Sequence, residues 1–152
     1  MASELDKIVE ELQKEVWAGY SEVVIEHAQN PRNVGSISNA DGFARVTGPC
    51  GDTMEIWLRV RDGTVKNATF WTDGCGTTIA AGSMVTELVQ GKTIANALRT
   101  TQQDVLDALG GLPEESVHCA LLAANTLKET IKDYLTFRNE PWKKAYRKTS
   151  QL

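Results

Sequence analysis

The sequence predicts an α+β fold, with three antiparallel strands lying between two helical regions. Two observations lead there. Met54, Ile56, Leu58 and Val60 alternate with Glu55, Trp57, Arg59 and Arg61, the two-residue period of a half-buried strand. Asp62-Gly63 follows as a hairpin turn signal, and Val65 to Asp73 returns as the next strand. On either side of this block the apolar spacing switches to that of helices.

Ser3 to Trp17 reads as the first helix. Ser3 and Asp6 form a capping-box pattern, and Leu5, Ile8, Val9, Leu12, Val16 and Trp17 make one apolar stripe. Core packing is the first reading of that stripe, and a homodimer contact is the second. A helix from Tyr20 to Gln29 should stop at Asn30-Pro31, because a residue before proline avoids the helical region. Asn33 to Ala40 is a loop, and Phe43 to Thr47 adds a strand ahead of the hairpin. Thr77 to Gln90 is a helix ended by Gly91, Thr93 to Arg99 a short one, and Thr101 with Asp104 caps another ending at Gly110-Gly111. Pro113 should open a long helix reaching about Leu135. The expected divisions are an N-terminal helix in 1–19, a main domain in 20–135, and a basic tail in 136–152 that belongs to the same domain or frays.

With 152 residues, 41% hydrophobic and 24% charged, the chain has the make-up of one globular domain. A formal charge of −4 disfavours nucleic acid as a partner. No apolar run approaches the ~20 residues that span a bilayer. The acidic start, with Glu4, Asp6, Glu10 and Glu11, matches neither a signal nor a transit peptide. The expected location is the cytoplasm, where three cysteines do not form a disulfide framework.

Each cysteine stands at an element boundary. Cys50 is in Gly48-Pro49-Cys50-Gly51-Asp52, Cys75 in Asp73-Gly74-Cys75-Gly76-Thr77, and Cys119 follows His118 near the start of the last long helix. No CxxC knuckle exists, so any shared site must be assembled by the fold. Glycine beside cysteine permits tight turns, and a helix N-terminus favours negative charge. Both lower a thiol pKa, and the thiolate is the form that binds metal or attacks sulfur. Asp52 projects to the same side as Cys50 if that stretch is extended. Successive helical residues point about 100° apart, so His118 and Cys119 share no direction but can border one mouth.

Taken singly, a cysteine is more often a small buried hydrophobe than a ligand, and an aspartate after glycine is usually turn chemistry. Gly74 and Gly76 can serve the turn alone, and His27, beside Asn30-Pro31, reads as an ordinary hydrogen-bonded histidine. Residue types therefore leave several readings open. One is a shared metal or sulfur site, and three cysteines with Asp or His suit tetrahedral zinc among others. Another is a Cys–His thiol enzyme, although sequence neighbours seldom form such a pair. The last is a purely structural module.

Longer motifs narrow the choice. Tyr20-Ser21-Glu22, Glu26-His27 and Asn30-Pro31-Arg32-Asn33-Val34-Gly35 resemble the opening of the IscU/NifU family of iron–sulfur scaffolds. So do Cys50-Gly51-Asp52, Gly74-Cys75-Gly76, Ala80 through Glu87, Gly91-Lys92-Thr93 and His118-Cys119. The resemblance runs from about Tyr20 to Leu135. It implies an IscU/SufE-like α+β fold, a three-stranded antiparallel sheet with helices packed on it. It implies a 2Fe-2S cluster built from iron and sulfur, with Cys50, Asp52, Cys75, His118 and Cys119 as the ligand set and Cys119 as sulfur acceptor. The implied partners are a cysteine desulfurase, an electron donor such as ferredoxin, and recipient apo-proteins. The protein is then a carrier rather than an enzyme. A zinc-binding sulfur acceptor of the SufU type is the alternative, but that branch carries an insertion before its last cysteine and lacks the neighbouring histidine. Here Cys75 and Cys119 stand 44 positions apart and His118 is present, which favours the IscU type. Bacterial members carry Leu-Pro-Pro-Val-Lys, recognised by a heat-shock chaperone. This chain has Leu112-Pro113-Glu114-Glu115-Ser116, closer to archaeal members.

Overall fold

The computed structural model describes residues 3–146. Helices α1 (Glu4–Val16) and α2 (Glu22–Gln29) precede strands β1 (Gly42–Thr47), β2 (Thr53–Arg61) and β3 (Thr64–Thr72). Helices α3 (Gly76–Val89), α4 (Ile94–Leu98), α5 (Gln102–Leu109) and α6 (Val117–Asn139) follow, with 3-10 turns at Glu114–Ser116 and Pro141–Tyr146. The sheet is antiparallel in the order β1-β2-β3. Asp62 and Gly63 both take positive φ, 54° and 74°, as the tight β2–β3 hairpin demands.

One sheet face is the main core. Met54, Ile56, Leu58, Ala68 and Phe70 meet Ala81 and Val85 of α3 and Ala123, Leu127 and Ile131 of α6. Helix α3 comes close because Gly82 has no side chain. A Cβ there would lie 2.4 Å from the Phe70 ring. The second face is covered as well. Phe43 stacks on Trp57 with ring centroids 5.2 Å apart, and Ala40 and Ile37 close over them. β2 is therefore buried on both faces over most of its length, with Trp57 and Glu55 included, and is not half-buried as its alternation predicts. The alternation separated two covered faces rather than core from solvent.

Two other expectations change. The capping box of Ser3 and Asp6 is present, yet α1 buries none of its residues. Leu5 and Val16 are each 69% exposed, so the apolar stripe is not core. Only Trp17, at the helix end, turns inward, packing on Tyr20 and over Gly76. Pro113 does not open the last helix. Its ψ of 148° leads into the 3-10 turn, and α6 starts four residues later at Val117. α6 then continues past Leu135 to Asn139. Residues 147–152 of the expected tail lie outside the described residues. Among the described residues, no helix is long and apolar enough to cross a membrane.

Candidate functional site

Three chain segments meet at the N-terminal ends of α3 and α6. The first is the turn before β2. Gly48 N–H donates to Asp52 O at 2.8 Å and Gly51 N–H to Gly48 O at 3.0 Å, with Gly51 at φ +88°. The stretch is a turn and not extended, so strand alternation does not put Cys50 and Asp52 on one side. Cys50 is exposed at the rim, and Asp52 points inward to the Thr78 hydroxyl.

The second segment joins β3 to α3. Asp73 Oδ1 accepts from Thr53 N–H at 2.8 Å, and Thr72 Oγ1 donates to Thr53 O at 2.6 Å, pinning this turn to the start of β2. Cys75 is the N-cap of α3 and uses no side-chain cap. Burial pushes its thiol up. The backbone N–H groups of Thr78 and Thr77 and the Thr78 hydroxyl outweigh that, so the thiol lies below the ordinary cysteine range despite the opposing Asp52 charge. This matches what a helix N-terminus should do to an exposed cysteine.

The third segment is the first turn of α6, and here the expectation fails. Cys119 is 2% exposed, and burial pushes its thiol above the ordinary range. The Thr78 hydroxyl opposes the shift, while the charges of Cys75, Asp52 and Cys50 reinforce it. Desolvation and like charge exceed the helix-end field. His118 does border the same mouth: its Nε2 lies 3.7 Å from Cys119 Sγ.

The hub of the site is Thr78, which reading the sequence did not single out. Its hydroxyl donates to Asp52 Oδ2 at 3.0 Å and lies 3.4 Å from Cys119 Sγ and 3.8 Å from Cys75 Sγ. Asp52, Cys75 and Cys119 thus converge on one oxygen, with His118 beside Cys119 and Cys50 within electrostatic reach. The only signal available was spacing: Thr78 lies one helical step beyond Cys75, on a helix that starts there. Gly74 makes the room, since a Cβ on it would fall 2.7 Å from Thr78 Cβ and Oγ1. Gly74 and Gly76 thus permit close approach, of Thr78 and of Trp17, rather than serving the turn alone. Among the described residues, no three His, Cys, Asp or Glu side chains already stand as a set that would hold a metal ion. Asp52, Cys75 and Cys119 are gathered around a hydroxyl instead. His27 has the ordinary role expected of it, with Nδ1 2.7 Å from Ser83 Oγ.

Residues 19–140 match the NifU-like N terminal domain family. The chain is 49% identical over 116 residues to "Iron-sulfur cluster assembly scaffold protein IscU 1" of Archaeoglobus fulgidus, covering 76% of each. It is 44% identical over 124 residues to "Iron-sulfur cluster assembly scaffold protein IscU" of Escherichia coli K12, covering 78% of this chain and 96% of that one. Among solved structures, a nitrogen-fixing NifU-like protein (N-terminal) from Brucella abortus superposes with a TM-score of 0.62 at 21% identity, over 82% of this chain and 98% of that one. A putative SUF-system scaffold from Fervidobacterium islandicum superposes at 0.60 and 20% identity, over 74% and 96%. These two likenesses speak to the fold alone, and agree with the three-stranded sheet and its helices. Family match, sequence identity over most of the chain and fold converge: the chain belongs to the NifU-like N-terminal domain family, on its IscU side.

Proposed function

We propose that this protein is a scaffold on which an iron–sulfur cluster is assembled and from which it is handed on. The observation that carries the reading is the gathering of Asp52, Cys75 and Cys119 about the Thr78 hydroxyl, with His118 and Cys50 at the edge, in a chain whose relatives bear the scaffold name. The cluster is cargo, and its chemistry accounts for the donor set. Thiolates are soft and suit a formed cluster, whereas a carboxylate is hard and suits entering iron. A permanent ferredoxin site uses four thiolates. Here Cys50, Cys75 and Cys119 supply three, and Asp52 or His118 supplies a weaker fourth. That asymmetry leaves one iron easier to release than a four-thiolate cage would.

The cargo in this reading is a 2Fe-2S cluster. Its sulfur comes from a cysteine desulfurase, its electrons from a donor such as a ferredoxin, and its recipients are apo-proteins. The chain acts as a carrier rather than a turnover enzyme. Cys119 is the sulfur acceptor in this scheme. Because it is buried against Thr78, the first turn of α6 must open before a donor reaches it, whereas Cys75 is accessible at once.

Zinc is the second reading, favoured by the same donor set, which satisfies tetrahedral zinc as well. Anaerobic incubation with desulfurase, cysteine and ferrous iron, followed by absorption spectroscopy and acid-labile sulfide analysis, separates the two. Bound sulfide and iron with thiolate charge-transfer bands, transferable to an apo-ferredoxin, support the scaffold. Zinc retained without sulfide rejects it.

A further inference from the structure

Thr78 does more than fill space at the meeting point. It is fully buried, it is the third residue of α3, and its β-branched side chain has little freedom about χ1. A hydroxyl carries one proton and two acceptor lone pairs. The proton is committed to Asp52 Oδ2 at 3.0 Å. The Cys119 Sγ at 3.4 Å and the Cys75 Sγ at 3.8 Å lie against the same oxygen. The same residue's backbone N–H acts on the Cys75 sulfur. One residue thus orients three donors from three separate chain segments. Gly74 has no Cβ to dislodge it.

We propose that Thr78 is a positioning residue of the cargo site, holding Asp52 by one carboxylate oxygen so that the other faces the incoming metal, and keeping Cys75 and Cys119 turned toward that same point. This rests on the scaffold reading of the site. When metal enters, the thiols lose their protons to solvent and exchange the Thr78 oxygen for the metal, while the Thr78–Asp52 bond persists. Such outer partners of a ligating carboxylate typically govern metal affinity by roughly 10–100-fold.

The test uses anaerobic full-length apo-protein titrated with Co2+, whose absorption reports thiolate ligation directly. Thr78→Val keeps the shape and removes the hydroxyl; Thr78→Ser keeps the hydroxyl. The expected result is roughly 10–100-fold weaker Co2+ binding in Thr78→Val, with weakened thiolate-to-cobalt bands and a cooperative thermal transition that shows the variant folded. Thr78→Ser should bind as wild type does. Thr78→Val with wild-type affinity and spectrum overturns the proposal, as does a Thr78→Ser variant as weak as the valine. If Thr78→Val does not fold, Thr78→Ala takes its place, and if neither folds the hydroxyl is structural and the proposal falls. A wild-type protein showing no thiolate bands would sink the site reading itself, a separate outcome from a hydroxyl-independent site.

Discussion

Gly82→Ala tests how tightly the site-bearing helix is set against the sheet. Gly82 lies inside α3, where alanine is the better helix former by about 0.8–1 kcal/mol. Propensity alone predicts a more stable protein. The structure predicts the reverse. The new methyl would sit 2.4 Å from Phe70 Cδ2 and 2.6 Å from Cε2, on a ring only 1% exposed and held in the middle of the core. Neither a rigid ring nor a helix packed on the sheet beside α6 yields cheaply. Overpacking of this kind costs about 1–3 kcal/mol, and a contact this short belongs at the upper end. Subtracting the propensity gain leaves a net loss of about 2 kcal/mol, which for a chain of this size lowers Tm by about 4–8 °C. Thermal unfolding followed by circular dichroism measures it. Adding Phe70→Leu should recover part of the loss, because the two residues share one contact and are not additive. A Gly82→Ala protein as stable as wild type would refute the packing argument.

Other outcomes follow from the same geometry. Deleting residues 1–16 should leave the fold intact, with a change within about 0.5 kcal/mol, because α1 buries nothing; a Tm drop beyond about 2 °C would contradict its exposure. Iodoacetamide on the metal-free protein should modify Cys75 and Cys50 well before the buried Cys119; peptide mapping that finds Cys119 labelled as fast would refute the closed mouth. Burial, aided by the Arg32 charge and opposed by Glu87 and Glu26, holds the His27 pKa below the usual value. The unfolded chain then binds more protons than the folded one, so His27 makes stability fall as pH drops through about 6.5, levelling once the folded histidine also protonates. Urea unfolding of wild type and His27→Gln between pH 7.5 and 5 reads this, and an identical pH slope in both would remove His27 as a cause.

Much of this was readable from local chemistry. The hairpin was legible because Asp62-Gly63 is adjacent to the strands it joins, and the α1 and α5 starts because a capping box is a four-residue device. What escaped depends on contacts between distant segments. The α1 stripe has the pattern of a core helix, and no local rule reveals that the sheet is already covered by α3 and α6. The low pKa assigned to Cys119 followed from its place on a helix; its burial comes from the main core and from Thr78, far off in sequence. Cys75 was singled out for the glycines on both sides of it, and Asp52 for its place two residues after Cys50 and by the family resemblance. Thr78 was missed because a threonine inside a helix carries no mark of its role until Gly74, Asp52 and Cys119 are seen around it.

In the proposed function, three cysteines from three segments hold one cluster. Anaerobic reconstitution of wild type and of Cys50→Ser, Cys75→Ser and Cys119→Ser, with iron and acid-labile sulfide counted per chain, tests it most directly. Equal amounts of iron and sulfide are expected in the wild type, with loss of stable cluster in each variant. A full complement of both in any one variant would contradict it.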